Sequence, residues 1–173
     1  LNKIATTPLN DDQLFAVAAA LGSDVPVCLA STPHRIKGIG DVIHPLNQIH
    51  AGALLLVNPL VPLSTADVFK QLTPPYNRPL PEITDDDAVR LCEFGNDLEA
   101  AATAFVPEIN GLLTQLREIP TCRAAQMSGS GASCFGIFDN ICMARPVAAA
   151  FKNDGVWAKA TKLRPFEVPT QSV

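Results

Sequence analysis

The sequence predicts an α+β protein, because strand-length apolar runs alternate with helix-length amphipathic segments along its 173 residues. From Gly52 onward the order is strand, helices, strand, turn, strand, helix and strand. The turn between the second and third of these strands is rich in glycine and serine. This βαββαβ order predicts a ferredoxin-like split βαβ fold, with extra helices inserted after the first helix.

The residues before Gly52 carry fewer elements. Asn10 and Gln13 are placed to form a capping box at the start of a helix, and Gly22 is a suitable C-terminal stop. Residues 25–29 form an apolar run that reads as a buried strand, and residues 35–43 predict a twisted hairpin. These elements do not make a domain by themselves.

The second part of the chain has clear element boundaries. Strands are predicted over residues 52–57, 122–127, 133–138 and 156–163. One helix is predicted with Ser64 or Thr65 as its cap, and others over residues 85–92 and 141–153. A further helix is predicted to open at residues 96–99 and to run through Ala104. The helix that begins near Pro107 has one apolar stripe: Ile109, Leu112, Leu113 and Leu116. Pro146 predicts that the last helix starts late or kinks. Four prolines within residues 73–84 predict an irregular loop.

Composition excludes several classes of function. Apolar residues make up 47% of the chain, and the formal net charge is −4 without a cluster of Lys or Arg, so a nucleic-acid-binding protein is not indicated. The five cysteines are scattered without zinc-like spacing, which predicts free thiols in the cytoplasm and no metal site. No apolar run approaches the roughly 20 residues of a membrane span.

The glycine turn, residues 128–131 (Ser128, Gly129, Ser130 and Gly131), has two interpretations. It can be a tight connection between strands, or a nest of N–H groups that binds an anion. Three known motifs do not fit it. No third glycine and helix follow as in a dinucleotide fingerprint, no Gly-Lys-Ser/Thr closes a Walker loop, and Gly-x-Ser-x-Gly is absent.

Asp24 is the most informative charged residue, since it stands among apolar residues directly after Gly22 and Ser23. Taken alone, its commonest fate is an exposed turn position. Asn96 and Glu99 predict a second capping box, which gives Asn96 and Asp97 a structural role.

Four segments resemble the GHMP family of small-molecule kinases. They are, in chain order, residues 21–26 (LGSDVP), 38–41 (GIGD), 57–59 (VNP) with 64–66 (STA), and 127–132 (MSGSGA). The combination of the glycine turn with Asp24-Val25-Pro26 is much more specific than the turn alone. The resemblance implies two parts, residues 1–49 as the end of a ribosomal-protein-S5-like N-terminal domain and residues 50–173 as the ferredoxin-like C-terminal domain.

The resemblance also implies an activity. The most similar member of that family transfers a phosphoryl group from ATP, with Mg²⁺, to a hydroxyl of cytidine diphosphate methylerythritol, a step in the non-mevalonate route to isoprenoid precursors. The expected partner is therefore this small-molecule substrate, with no nucleic acid or membrane, and the expected state is a monomer or weak homodimer. Alternatives are another GHMP kinase, of homoserine or mevalonate type, and a non-catalytic ferredoxin-like ligand-binding domain.

Residue roles follow from the same resemblance. Asp24 matches the catalytic aspartate, and the glycine turn matches a motif close to the phosphates. Thr65 matches a hydroxyl that lines the substrate pocket, with a helix cap as the other interpretation. Phe69 matches an aromatic ring that lies against cytosine, with core packing as the other interpretation.

One departure from the family is the main ATP loop, a Pro-x-x-x-Gly-Leu-Gly-Ser-Ser-like stretch that this sequence does not contain. This absence predicts that the chain is the C-terminal part of a longer enzyme. Residues 1–173 alone are then expected neither to bind ATP well nor to turn over substrate.

Overall fold

The computed structural model describes residues 6–38, 42–46, 52–72 and 88–163. These residues form two compact units, one over residues 6–46 and the other over residues 52–163. The predicted boundary between residues 49 and 50 and the predicted loop over residues 73–84 lie outside the described residues.

The first unit contains two helices and a hairpin. They are α1 (Asp11–Leu21), α2 (Val25–Ala30), β1 (His34–Lys37) and β2 (Val42–Pro45). The capping box predicted for α1 is confirmed, because Gln13 N–H donates to Asn10 Oδ1 over 2.9 Å and Asn10 N–H donates to Gln13 Oε1 over 3.1 Å. Gly22 is the C-cap, as predicted. The two strands pair antiparallel, which confirms the predicted hairpin.

The prediction of a buried strand over residues 25–29 is wrong, because these residues begin helix α2. Pro26 lies in the first turn, where a missing N–H costs no hydrogen bond and the fixed φ suits a helix. Cys28 N–H donates to Asp24 O over 3.1 Å, which is a helical bond. A short apolar run is compatible with either element, so periodicity could not decide here.

The second unit is a four-stranded antiparallel sheet covered by helices. Its elements are β3 (Ala53–Asn58), α3 (Thr65–Lys70), α4 (Ala88–Leu91), a 3₁₀ turn (Cys92–Phe94), α5 (Glu99–Phe105), α6 (Glu108–Glu118), β4 (Cys122–Met127), β5 (Cys134–Phe138), α7 (Ile141–Asn153) and β6 (Trp157–Thr161). The strand order is β4-β5-β3-β6. Each crossover therefore joins two strands that are separated by a third, which confirms the predicted split βαβ fold.

The core of this unit lies between the sheet and its helices. Helix α6 packs on β4, and α7 packs on β3 and β6. The stripe predicted for α6 is confirmed, since Ile109, Leu112, Leu113 and Leu116 are all buried. Strand β3 alternates buried and half-buried residues, so one of its faces points into the core.

One smaller prediction for this unit is wrong. Helix α5 begins at Glu99 without a side-chain cap, so Asn96 and Glu99 do not form a capping box.

Helix α7 has the predicted bounds, 141–153, and includes Pro146. It does not start late, because Asn140 caps it by accepting the N–H groups of Cys142 and Met143. The alternative, a kink at Pro146, stays a prediction.

Candidate functional site at the glycine turn

The glycine turn joins β4 to β5 and is closed by two backbone hydrogen bonds. Ser128 N–H donates to Ser133 O over 2.9 Å, and Gly131 N–H donates to Ser128 O over 3.0 Å. Gly129 has φ +56° and Gly131 has φ +88°, both in the left-handed region that favours glycine. The sequence folds into this tight turn because glycine stands at both positions.

Two N–H groups of the turn, those of Gly129 and Ser130, have no acceptor among the residues that the structure describes. A Cβ on Gly129 would meet no atom within 4 Å, so this side of the turn is open. Unpaired N–H groups next to open space can bind an anion.

Gly131 faces the opposite way, toward the core. A Cβ at this position would lie 2.9 Å from Met127 Sδ and 3.2 Å from Leu63 Cδ2. Met127 is 1% exposed and belongs to the core. The turn is therefore packed on one side and open on the other.

Thr65 contacts the turn directly. Its Oγ1 lies 2.8 Å from Ser130 Oγ, in a hydrogen bond that either hydroxyl can donate. Thr65 does not cap α3, because Ser64 is the N-cap and accepts the N–H of Asp67. Thr65 and Ser130, which were both singled out in the sequence, are thus brought together.

Phe69 lies one turn after Thr65 on the same helix. It is 54% exposed, whereas its neighbour Val68 is fully buried, so Val68 rather than Phe69 is the core residue of α3. On the same helix, the Lys70 ammonium donates to Asp67 Oδ1 over 3.0 Å, and this hydrogen bond lowers the pKa of the Asp67 carboxyl.

Asn96 holds the turn from its other side. Its Nδ2 donates to Met127 O over 3.0 Å and to Gly129 O over 2.8 Å. Its Oδ1 accepts the N–H of Leu98 over 3.0 Å. The capping box that the sequence predicted would have occupied this side chain locally, so the contact with a turn 31 to 33 residues away was missed.

An open cavity of about 450 Å³ lies beside Asn96 and the turn. Its lining includes Phe94, Asn96, Asp97, Gln126, Ser128 and Phe135. Gln126 and Phe135 are paired across β4 and β5, so they project from the same face of the sheet. The cavity thus combines aromatic and polar side chains.

Asp24 lies in the other compact unit. It is the exposed N-cap residue of α2, and its side chain makes no cap hydrogen bond. Ser23 Oγ donates to Asp24 Oδ1 over 3.3 Å. Its carboxylate is thus available as an acceptor, and its catalytic role stays a prediction.

Three further observations concern cysteine ionisation, metal binding and membrane spans. Burial raises the pKa of the Cys134 thiol to about 12, so this thiol is neutral at physiological pH. Within the described ranges, no group of three or more His, Cys, Asp or Glu side chains could hold a metal ion. None of the helices in those ranges has the length and apolar character needed to cross a lipid bilayer.

Comparison with known proteins gives a consistent result. A family model described as "GHMP kinases C terminal" matches residues 63–153. The curated 4-diphosphocytidyl-2-C-methyl-D-erythritol kinase of Paracoccus denitrificans is 46% identical over 154 residues, which are 84% of this chain and 56% of that protein. The protein of the same name from Paramagnetospirillum magneticum is 41% identical over 80% of this chain and 50% of that protein.

A solved structure agrees with these relatives. The crystal structure of a 4-(cytidine 5'-diphospho)-2C-methyl-D-erythritol kinase superimposes with a TM-score of 0.76 and 26% identity, over 95% of this chain and 61% of that chain. The chain spans about half the length of the curated relatives that it matches.

Proposed function

The chain belongs to the GHMP kinase family, and we propose that the full-length protein transfers a phosphoryl group from ATP to a hydroxyl of 4-diphosphocytidyl-2-C-methyl-D-erythritol. The observation that carries this proposal is the high identity to curated kinases that share that name. The reaction is a step in the supply of isoprenoid precursors. We expect the enzyme to work in the cytoplasm, as a monomer or weak homodimer.

The glycine turn supports the proposal through its unpaired amides. Phosphoryl transfer requires positioning and neutralisation of charge on the phosphate oxygens more than covalent help from the protein. The N–H groups of Gly129 and Ser130 have no acceptor among the described residues, so they can donate to such oxygens. Donors that are fixed before the reaction cost no reorganisation when charge develops.

Asp24 is the residue that we assign to proton transfer. As a carboxylate it can only accept a hydrogen bond, which is what orienting or deprotonating the attacking hydroxyl requires. Its exposed position and its lack of a cap bond leave the carboxylate free for this role.

Thr65 and Phe69 are the residues that we assign to substrate binding. The Thr65 hydroxyl already contacts Ser130 of the turn, so a substrate held by Thr65 would lie near the phosphate side. The exposed ring of Phe69 offers a flat apolar surface to a cytosine base.

ATP fits the chemistry of this turn, whose free donors suit phosphate oxygens. We also propose Mg²⁺, which accompanies ATP in phosphoryl transfer and neutralises developing charge when bound. The described residues suggest no protein ligand set for the ion.

The test is a substrate comparison with the full-length protein. We expect it to form ADP and a phosphorylated product with ATP and 4-diphosphocytidyl-2-C-methyl-D-erythritol, and to form neither with homoserine or mevalonate. Product should be identified by mass spectrometry, and reactions without the hydroxyl substrate are the control. Turnover of homoserine or mevalonate instead would favour another GHMP kinase, and turnover of none of the three would contradict the proposal.

A further inference from the structure

We propose that Asn96 is a positioning residue that fixes the direction of the unpaired N–H groups of the glycine turn. This inference rests on the proposed kinase function, since it concerns the same turn. Asn96 does not contact substrate in this role. It acts through the backbone of residues 127–130.

The three hydrogen bonds of the Asn96 side chain fix the orientation of its amide group. Oδ1 accepts the N–H of Leu98, which identifies this end of the amide as the oxygen. Nδ2 then points at the turn and donates to the carbonyl oxygens of Met127 and Gly129. Leu98 packs against the hydrophobic core, so the amide is anchored to a residue that the core holds in place.

Because the peptide bond is planar, a hydrogen bond that fixes a carbonyl group also fixes the direction of the N–H group that follows it. In a trans peptide the C=O and the following N–H point in opposite directions. Asn96 holds Gly129 O, so the N–H of Ser130 is directed away from Asn96. Ser128 O accepts from Gly131 N–H, which in the same way fixes the N–H of Gly129. Both unpaired N–H groups therefore belong to peptides whose carbonyl oxygens are held.

Ser130 is fixed a second time by its side chain. Its hydroxyl contacts Thr65, while its backbone N–H is oriented through Asn96. The turn is thus held from the α3 side and from the segment before α5. Glycine at positions 129 and 131 permits many backbone conformations, so a turn of this composition needs such external contacts to keep one of them.

Substitution of Asn96 tests this role. In the full-length protein, Asn96→Ala removes both donors to the turn, and Asn96→Asp removes the donors while keeping an acceptor for Leu98 N–H. Loss of one fixed donor of an oxyanion site lowers kcat by about 10²–10³-fold, and a misdirected donor should cost less, so we expect a fall in kcat of roughly 10–100-fold. KM for the cytidine substrate should stay within about threefold, because uniform binding is not removed.

Asn140→Ala is the matched control. Asn140 also uses its amide oxygen to accept backbone N–H groups, but it lies after β5, whereas the turn lies before that strand. We expect it to lower Tm by a few degrees and to leave kcat unchanged at temperatures well below Tm.

The outcomes are separable. A wild-type protein with no turnover overturns the proposed function and this inference together. If the wild type is active, any of four results for the Asn96 variants overturns the inference alone. These are a kcat within twofold of wild type, a rise in KM alone, a loss of kcat no larger than that of Asn140→Ala, and failure to fold. A selective loss of kcat in folded Asn96→Asp or Asn96→Ala supports it.

Discussion

The two compact units of this chain are stabilised in different ways. In the second unit, over residues 52–163, a continuous hydrophobic cluster joins the sheet to its helices. In the described part of the first unit, over residues 6–46, Ala18 and Pro26 are the buried residues. Within residues 1–173, the described part of the first unit therefore depends more on local backbone and capping interactions.

Helices α1 and α6 make this difference concrete, since each has eleven residues. Helix α6 buries four apolar side chains, whereas α1 buries only Ala18 and leaves Leu21 74% exposed. A capping box begins α1, while α6 starts at Pro107 without a side-chain cap. Two helices of equal length thus correspond to two sources of stability.

The difference bears on function, because the predicted base lies in the first unit and the glycine turn in the second. Substitution of Asp24, the predicted base in the first unit, should change activity without changing stability. Substitution of a core residue in the second should do the reverse. The predictions below test this separation, from the largest expected effect to the smallest.

Asp24→Asn should give the largest effect on activity. Loss of a general base lowers turnover by about 10²–10⁴-fold. Because Asp24 is exposed and makes no cap bond, its free energy of unfolding should change by less than about 0.5 kcal/mol. Steady-state kinetics of the full-length protein and urea unfolding of residues 1–173 measure the two quantities. Unchanged phosphorylation would show that Asp24 is not the catalytic base.

Leu113→Ala should give the largest loss of stability. Leu113 is fully buried in α6, and truncation of a buried leucine costs about 2–5 kcal/mol. Leu21→Ala in α1 is the matched control, because the same change at a 74% exposed side chain should cost less than about 0.5 kcal/mol. Denaturant titration of both variants of residues 1–173, the chain in which these exposures apply, compares the two losses. Equal losses would show that α1 is packed as firmly as α6.

Phe69→Ala tests an exception, a residue of the second unit that we assign to binding rather than to the core. Base–aromatic stacking is worth about 1–3 kcal/mol, so KM for the cytidine substrate should rise by about tenfold. Phe105→Ala is the control, since Phe105 is 46% exposed and Phe69 is 54% exposed. A loss of Tm with unchanged KM would return Phe69 to a structural role.

Much of the fold could be predicted from the sequence, because its signals are local. The capping box of α1, the stripe of α6 and the glycine turn each depend on residues within a few positions of one another. The order of these elements was then sufficient for the split βαβ fold. Helix α2 could not be predicted, since a five-residue apolar run carries no period that separates helix from strand.

The candidate site could be predicted only in part. Thr65 and the glycine turn were singled out, but their contact is made across 65 residues of sequence. The contacts of Asn96 with the turn were missed because the sequence predicted a local capping box for this side chain. The exposure of Phe69 depends on which side of α3 packs on the core, and an isolated six-residue helix does not determine this.

Asn10→Ala should give the smallest effect, and it tests whether α1 depends on its cap. Loss of an asparagine N-cap costs about 1 kcal/mol, and Asn10→Asp should cost almost nothing because it keeps the accepting oxygen. Urea unfolding of both variants measures these changes, and hydrogen exchange at Gln13 and Leu14 reports on the first turn. We expect faster exchange there in Asn10→Ala while the amides of α6 keep their protection. If α1 and α6 instead lose protection together, the two units unfold as one, and local capping cannot be what distinguishes the first unit from the second.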